Sequence, residues 1–321
     1  MVAAGAGEAP SKLPQSKLVV VGSTMMDNIA YVKRVPGPGE TIVGDQTTLG
    51  FGGKGANQAV MASNLGSDVA MVACLGDDNY GAMYRERFAE VGIDATHVHT
   101  SAGTSSGVAP IWVEEGGMNR IIIIPGANLK LTAEQARAAI EAFTPTVVIG
   151  QFEIPQAVTA AAFAVAKRLG ATTVLNPAPA EAIDKELLDV SDWIIPNESE
   201  FFLLSTGHPS DGSPSDAEIQ AFASRVGVRL LVTLGSAGVA LVDKSGAVHR
   251  LAPSPTASVV DTTGAGDAFV GAFAHGLASG LDELSAAQLG MACASDSVTR
   301  EGTQTSFPGR DRCAELLRPA A

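Results

Sequence analysis

The sequence predicts an α/β protein built on a doubly wound, mostly parallel sheet, with a small β-sheet lid. Three observations point there. Short, continuous apolar runs recur along the chain, stretches with helical periodicity separate them, and a glycine or asparagine closes most of the runs. Alternation at this spacing fits right-handed βαβ crossovers, and ligands then sit beyond the carboxyl ends of the strands.

The first run is Lys17-Leu-Val-Val-Val21, which ends at Gly22 as a strand buried on both faces would. Similar runs follow at 69–74, 146–150, 172–175, 193–195 and 230–234, with helical stretches at 56–65, 80–91, 133–143, 155–169 and 216–225. Gly22, Gly76, Gly150, Asn176, Asn197 and Gly235 all fall at predicted strand ends. Two stretches, about 29–50 and 105–124, break the alternation with turn signals and β-branched residues. The segment Val113-Glu-Glu-Gly-Gly-Met-Asn-Arg-Ile121 reads as a hairpin, so the two inserts predict a small sheet standing away from the main domain. A lid and a decorative β insertion both fit that pattern. The first sixteen residues, rich in Ala, Gly and Pro, read as a disordered tail, which leaves 17–321 as one domain.

A chain of 321 residues is long enough for one large core. Its net charge of −13 argues against nucleic acid or an anionic membrane as partner, so any anionic ligand must be met by local donors. No apolar run approaches the ~18 residues of a membrane span. Cys74, Cys293 and Cys313 are widely spaced and read as reduced thiols of a cytoplasmic protein, or a nuclear one in a eukaryotic cell. The histidines supply no zinc pattern; His97 and His99 would share a strand face without further ligands.

The segment Asp261-Thr-Thr-Gly-Ala-Gly-Asp267 precedes an apolar run of small residues that reads as a buried helix. N–H groups at a helix start lack intrahelical partners, and the helix dipole adds partial positive charge there. Glycine lets an anion approach that backbone closely. Asp267 is then placed to take a proton from a hydroxyl attacking a phosphoryl group, or merely to cap the helix. A second glycine cluster, Gly50-Phe-Gly-Gly-Lys-Gly-Ala-Asn57-Gln-Ala, precedes an Ala-rich helix, and Lys54 and Asn57 offer donors for sugar hydroxyls or a phosphate. Neither GxxxxGK[ST] nor G-x-G-x-x-G is present, which disfavours Walker-type and dinucleotide-binding readings.

Phe51-Gly-Gly-Lys-Gly-Ala-Asn-Gln-Ala and Asp261-Thr-Thr-Gly-Ala-Gly-Asp267 resemble, in order, the two signatures of the ribokinase-type (PfkB) family of carbohydrate kinases. The resemblance extends over roughly residues 17–310. It implies a ribokinase-like fold and transfer of phosphoryl from ATP to O5 of D-ribose. Asp267 would be the base, and the main-chain N–H groups of Gly264, Ala265 and Gly266 the anion hole. It places Asp27, Gly53, Lys54, Gly55, Asn57 and Glu153 around the sugar, with Met25 where many bacterial members carry Asn and where eukaryotic members resemble this chain's GSxMxD pattern. Asn176-Pro-Ala-Pro179 is similar to a segment near the active site. Asn197 and Glu200 match an N-x-x-E motif that organises Mg²⁺ and the triphosphate, Glu200 indirectly. Thr233, Gly235, Ser236 and Gly238 would contact the nucleotide together with Asn197, Gly266 and Asp267. Met291 stands where Asn or His often borders the adenine, which leaves base contacts there unassigned. The resemblance also implies a K⁺ site at Asp261, Thr263, Ser297, Arg300, Gly302 and Ser306. Arg300 could offer only its backbone oxygen to such an ion.

A homodimer would follow if lid strands of two subunits pair edge to edge. Deoxyribose, fructose, a keto-deoxy sugar acid or a nucleoside such as adenosine remain alternative acceptors. A non-catalytic sugar- or nucleotide-binding regulator is the alternative from another class. Taken singly, Asp27, Asn176 and Asn197 could each merely cap a turn or satisfy loop backbone.

Overall fold

In the computed structural model, which describes residues 16–210, 212–253 and 258–318, the four apolar residues that follow Lys17 organise the core. The predicted tail, Ser16 apart, lies outside the described residues. Leu18 and Val20 of β1 (Lys17–Val21) face one helical layer, and Val19 and Val21 face the other. All four are fully buried, as a strand covered on both faces requires.

The remaining strands are β2 (Met25–Val32), β3 (Gln46–Gly52), β4 (Asp68–Gly76), β5 (Val98–Ser101), β6 (Gly107–Glu114) and β7 (Asn119–Ile121), then β8 (Val147–Gly150), β9 (Thr172–Leu175), β10 (Trp193–Ile194), β11 (Arg229–Thr233), β12 (Val239–Val242) and β13 (Val248–Leu251). The large sheet runs β13-β12-β11-β10-β9-β8-β1-β4-β5, parallel from β11 to β5, with β12 antiparallel to both its neighbours. The chain winds outward from β1 to β4 and β5, then crosses to β8 on the other side. The order therefore reverses between β1 and β8, the kind of switch point at whose carboxyl ends ligands are expected.

Ten helices complete the described fold: α1 (Lys54–Asn64), α2 (Asn79–Val91), α3 (Ala133–Phe143), α4 (Gln156–Arg168), α5 (Lys185–Leu188), α6 (Glu198–Thr206), α7 (Asp216–Val226), α8 (Ala265–Ala278), α9 (Glu283–Ser297) and α10 (Arg310–Leu316). One layer joins α1, α2, α8 and α9 through Met61, Phe88, Phe269, Phe273 and Leu289; the opposite one joins α3 and α4 through Ile140 and Phe163. Phe201 and Phe222 seat α6 and α7 against the β10–β12 end. The expected doubly wound architecture is the observed one. No described helix is long and apolar enough to cross a membrane.

The second sheet has the order β3-β2-β6-β7, with β2 parallel to β6 and antiparallel to β3. It begins at Met25 and reaches Gly52, so it extends beyond the expected 29–50 insert at both ends. The reason lies in Gly50 and Gly52, which read as turn residues in sequence but are strand positions here. Asp27 pairs with Gly50, and a Cβ on Gly52 would collide with the Asp27 carboxylate. The glycines leave room for an acid.

Two buried polar side chains fix the root of this sheet. Asn128 accepts the Thr24 N–H (2.9 Å) and donates to the carbonyls of Thr24 (2.8 Å) and Pro125 (2.9 Å). The Tyr84 hydroxyl reaches the carbonyls of Met25 (3.1 Å) and Gly52. Truncating Asn128 leaves buried backbone groups of Thr24 unpaired, so Asn128→Ala is expected to lower the unfolding free energy by about 2–3 kcal/mol. Urea titration measures this, and a loss below about 1 kcal/mol would contradict the account of the root.

Candidate active site

Helix α8 opens on Gly264, whose left-handed conformation (φ 76°) turns the chain back so that the Ala265 N–H meets the Thr262 carbonyl at 3.2 Å. A Cβ at Gly264 would press on Thr303 and Phe307, whereas one at Gly266 would meet nothing within 4 Å. The N–H groups of Gly264, Gly266 and Asp267 find no backbone acceptor among the described residues. Of the expected trio of Gly264, Ala265 and Gly266, the Ala265 N–H is engaged in the turn, and the Asp267 N–H is unpaired beside those of Gly264 and Gly266. Asp267 itself is buried, and α1 reaches both its oxygens. Asn57 Nδ2 donates to Oδ2 at 2.9 Å, and Gln58 Nε2 donates to Oδ1 at 3.0 Å.

Beside this carboxylate lie the other expected sugar residues. Gly53 takes a left-handed φ of 86° at the start of α1, and a Cβ there would strike the backbone of Thr24 and Met25. Gly55 is pressed as closely on Gly22 and Ser23. Glu153 Oε2 accepts the Lys54 N–H (2.9 Å) and the Ser23 hydroxyl, which joins the end of β8 to the start of α1. Met25 is buried, with its carbonyl taken by Tyr84.

Burial, then the charges of Glu153 and Asp267, push the Asp27 carboxyl up to about 7. Burial likewise raises Glu153, although Lys54 and Ser23 oppose it. Burial pulls the Lys54 ammonium down, but Asp267, Glu153 and Glu200 outweigh that and hold it above the usual lysine range. One lysine thus faces an excess of carboxylates, so a polyanion entering here requires added cationic charge.

The nucleotide-type residues meet at a neighbouring cleft of about 970 Å³. Asn197, Thr233, Gly235, Ser236, Gly238 and Gly266 line it, and Met291 and Phe269 supply apolar wall. Asn197 and Glu200 form a capping box for α6: Asn197 accepts the Glu200 N–H, and Glu200 Oε2 accepts the Asn197 N–H, each at 2.8 Å. Glu200 Oε1 takes no hydrogen bond among the described residues. Burial raises this carboxyl, and it senses both Lys54 and Asp267. The set suits a hard cation reached through water.

Of the six residues expected around a monovalent cation, Asp261, Thr263 and Gly302 are drawn together. Asp261 accepts the Thr263 N–H (2.9 Å) and hydroxyl (2.6 Å), and the Gly302 N–H (3.0 Å). Burial would raise its pKa, but these bonds outweigh it and keep Asp261 ionised. Arg300 donates through its guanidinium to the Ser306 carbonyl at 2.7 and 2.9 Å, and the Ser297 hydroxyl turns to Ala294. A carboxylate beside a threonine hydroxyl, with no soft ligand near it among the described residues, fits a hard cation better than a transition metal. No group of three or more His, Cys, Asp or Glu among the described residues forms a metal cluster, His97 and His99 included.

Sequence reasoning missed Ser23, Gln58, Gln151, Gln304 and Arg87. Gln58 Nε2 also donates to Asn176 Oδ1 (3.0 Å), Gln151 Nε2 to Gln58 Oε1 (2.6 Å) and Gln304 Nε2 to Asn57 Oδ1 (3.2 Å). The readable signal was a glutamine, Gln58, on a helix whose neighbours are small and buried.

Comparison with known proteins is consistent across the chain. A sequence model of pfkB family carbohydrate kinases matches residues 15–310. Ribokinase of Haemophilus influenzae is 35% identical over 304 residues, covering 94% of this chain and 99% of that protein. Deoxyribokinase of Salmonella typhi is 36% identical over 303 residues, covering 94% and 98%. The structure of Arabidopsis thaliana ribokinase complexed with ribose and ATP aligns with a TM-score of 0.85 at 32% identity, over 95% of this chain and 99% of that one.

The raised Asp27 carboxyl carries a consequence for stability. Its contribution to folding is fully present below the unfolded value near 3.8 and is lost as pH rises through about 7. Asp27→Asn is therefore expected to stabilise the ligand-free protein, with a gain in Tm that grows from pH 5 to 7 and levels off above. A gain independent of pH would show that Asp27 ionises normally.

Proposed function

The chain belongs to the pfkB family of carbohydrate kinases, and from that premise we propose that it transfers the γ-phosphoryl group of ATP to O5 of D-ribose, giving D-ribose 5-phosphate and ADP. The carrying observation is the position of Asp267. Its carboxylate touches Asn57 on the sugar side, and its own N–H, with that of Gly266, opens beside the large cleft.

In this reading Asp27, Lys54, Asn57 and Glu153 hold the sugar hydroxyls over Gly53 and Gly55. Asp267 accepts the O5 proton as the new O–P bond forms and the bond from the γ-phosphorus to the bridging oxygen of ADP breaks. The N–H groups of Gly264, Gly266 and Asp267, at the positive end of α8, meet the charge on the transferring phosphoryl. Thr233, Gly235, Ser236 and Gly238 line the place of the nucleotide, with Asn197 near its phosphates. Mg²⁺ bound with ATP would neutralise triphosphate charge, with Glu200 and Asn197 reaching it through water. K⁺ would be held at Asp261, Thr263, Ser297, Arg300, Gly302 and Ser306, partly through main-chain carbonyls, with Ser306 offering its hydroxyl because the Arg300 guanidinium takes its carbonyl, and would stiffen the turn at Gly264. The second sheet acts as a lid that excludes water. Its free edges, with the half-exposed run Ile121 to Ile124, suit pairing with a second copy in a homodimer.

A second acceptor, 2-deoxyribose, is favoured by the deoxyribokinase relative; the two sugars differ by one hydroxyl.

Asp267→Asn is expected to keep sugar affinity within about tenfold and to lower kcat by at least ~10²-fold. Near-normal turnover in that variant would remove Asp267 as base. Replacing K⁺ by Na⁺ at constant ionic strength is expected to slow turnover severalfold, and an equal rate in both salts would dismiss the cation site.

A further inference from the structure

A carboxylate that acts as base must present a chosen oxygen in a fixed direction, and Asp267 is held by side chains whose own orientations are forced. The forcing begins at a group that can only accept. Asn176 Nδ2 donates to the Ile195 carbonyl at 2.9 Å, so Asn176 Oδ1 must face the other way. There it requires a donor, which Gln58 Nε2 supplies at 3.0 Å. The Gln58 amide oxygen is thereby turned to Gln151 Nε2 at 2.6 Å. The same Gln58 NH₂ group has a second hydrogen, and it goes to Asp267 Oδ1 at 3.0 Å. Gln58 and Gln151 are both fully buried, so water does not compete for these bonds.

Oδ2 is served by a second series that starts from a group that can only donate. Arg87 Nε donates to Gln304 Oε1 (3.3 Å), Gln304 Nε2 to Asn57 Oδ1 (3.2 Å), and Asn57 Nδ2 to Asp267 Oδ2 (2.9 Å). Both series deliver an N–H to the carboxylate, and neither can reverse without stranding a buried partner.

We propose that Gln58 is a positioning residue for the phosphoryl transfer: its carboxamide, locked by Asn176 and Gln151, holds Asp267 Oδ1 from the protein side and fixes the carboxylate that receives the acceptor's proton. This rests on the reading of Asp267 as base. Gln58 is fully buried behind Asp267, out of reach of a ligand in the site, so its loss acts on the chemical step and spares sugar binding.

The test is steady-state kinetics of the full chain with ribose and Mg²⁺-ATP across pH 5.5–9, for the wild type, Gln58→Met, Gln58→Glu and Asp267→Asn. Gln58→Met keeps an unbranched side chain without the donor. It is expected to lower kcat by about 10- to 100-fold, the size of a misplaced catalytic group, with the sugar KM within about threefold. In Gln58→Glu the new carboxyl group and Asp267 share one proton, so the acid limb of log kcat against pH moves up by about one unit or more. A glutamine that only supports packing would lower Tm and leave that limb in place. Wild-type limbs in Gln58→Glu together with wild-type kcat in Gln58→Met would overturn the proposal, provided Asp267→Asn is inactive. Near-normal turnover in Asp267→Asn would instead overturn the base assignment beneath it. Should neither Gln58 variant fold, Gln151→Met leaves every Asp267 contact in place and only unlocks the Gln58 amide. A kcat loss of about three- to tenfold there supports the proposal, and an unchanged kcat refutes it.

Discussion

The contact between α1 and the Asp267 carboxylate joins two segments distant in sequence, and the site is built around it. Asn57 and Gln58 sit 210 and 209 residues before their partner. For them to meet it, α1 and α8 must lie side by side on one face of the sheet. That packing in turn requires the small residues both helices carry: a Cβ on Gly271 of α8 would strike the Gln58 carbonyl and Met61 of α1. The close approach that brings the backbones together also sets the amides against the acid.

Electrostatics then decides what can enter. Asp27, Glu153, Asp267 and Glu200 surround a single lysine, and burial works against the charges of Asp27, Glu153, Glu200 and Lys54. A neutral polyol suits the sugar end, because its hydroxyls donate to carboxylates without adding charge. A triphosphate does not suit it unaided. The donors that remain for the triphosphate are the unpaired N–H groups of the α8 turn and the glycine-rich cleft between β11 and α9. The two halves of the site therefore differ in what they accept, and Asp267 lies at their boundary.

Much of this was legible in the sequence because it depends on local chemistry. Buried strands announce themselves as apolar runs, and the glycines of FGGKGAN and DTTGAGD mark backbone that a Cβ would block. The N-x-x-E motif was legible twice over, as a helix cap and as a candidate site element, and the capping box at Asn197 and Glu200 is the part the structure displays. Illegible features depend on distant partners. Gln58, Gln151 and Gln304 acquire meaning only from one another and from Asn176 and Asn57, and no window of sequence contains them together. The β12–β13 hairpin escaped for a different reason. Residues 239–251 contain the turn signal Ser245-Gly246, but the flanking strands are four residues each and show no clear alternation. Gly50 and Gly52 misled in the opposite direction, since residues that usually end a strand here make room for Asp27.

Acceptor choice is the point on which the account stands most exposed. Steady-state ADP release with Mg²⁺-ATP and K⁺, measured in parallel for ribose, 2-deoxyribose, fructose and adenosine, addresses it directly. The account predicts turnover on ribose with the highest kcat/KM of the four. Silence on ribose alongside turnover of another acceptor would contradict it, as would silence on all four from a protein that binds ATP.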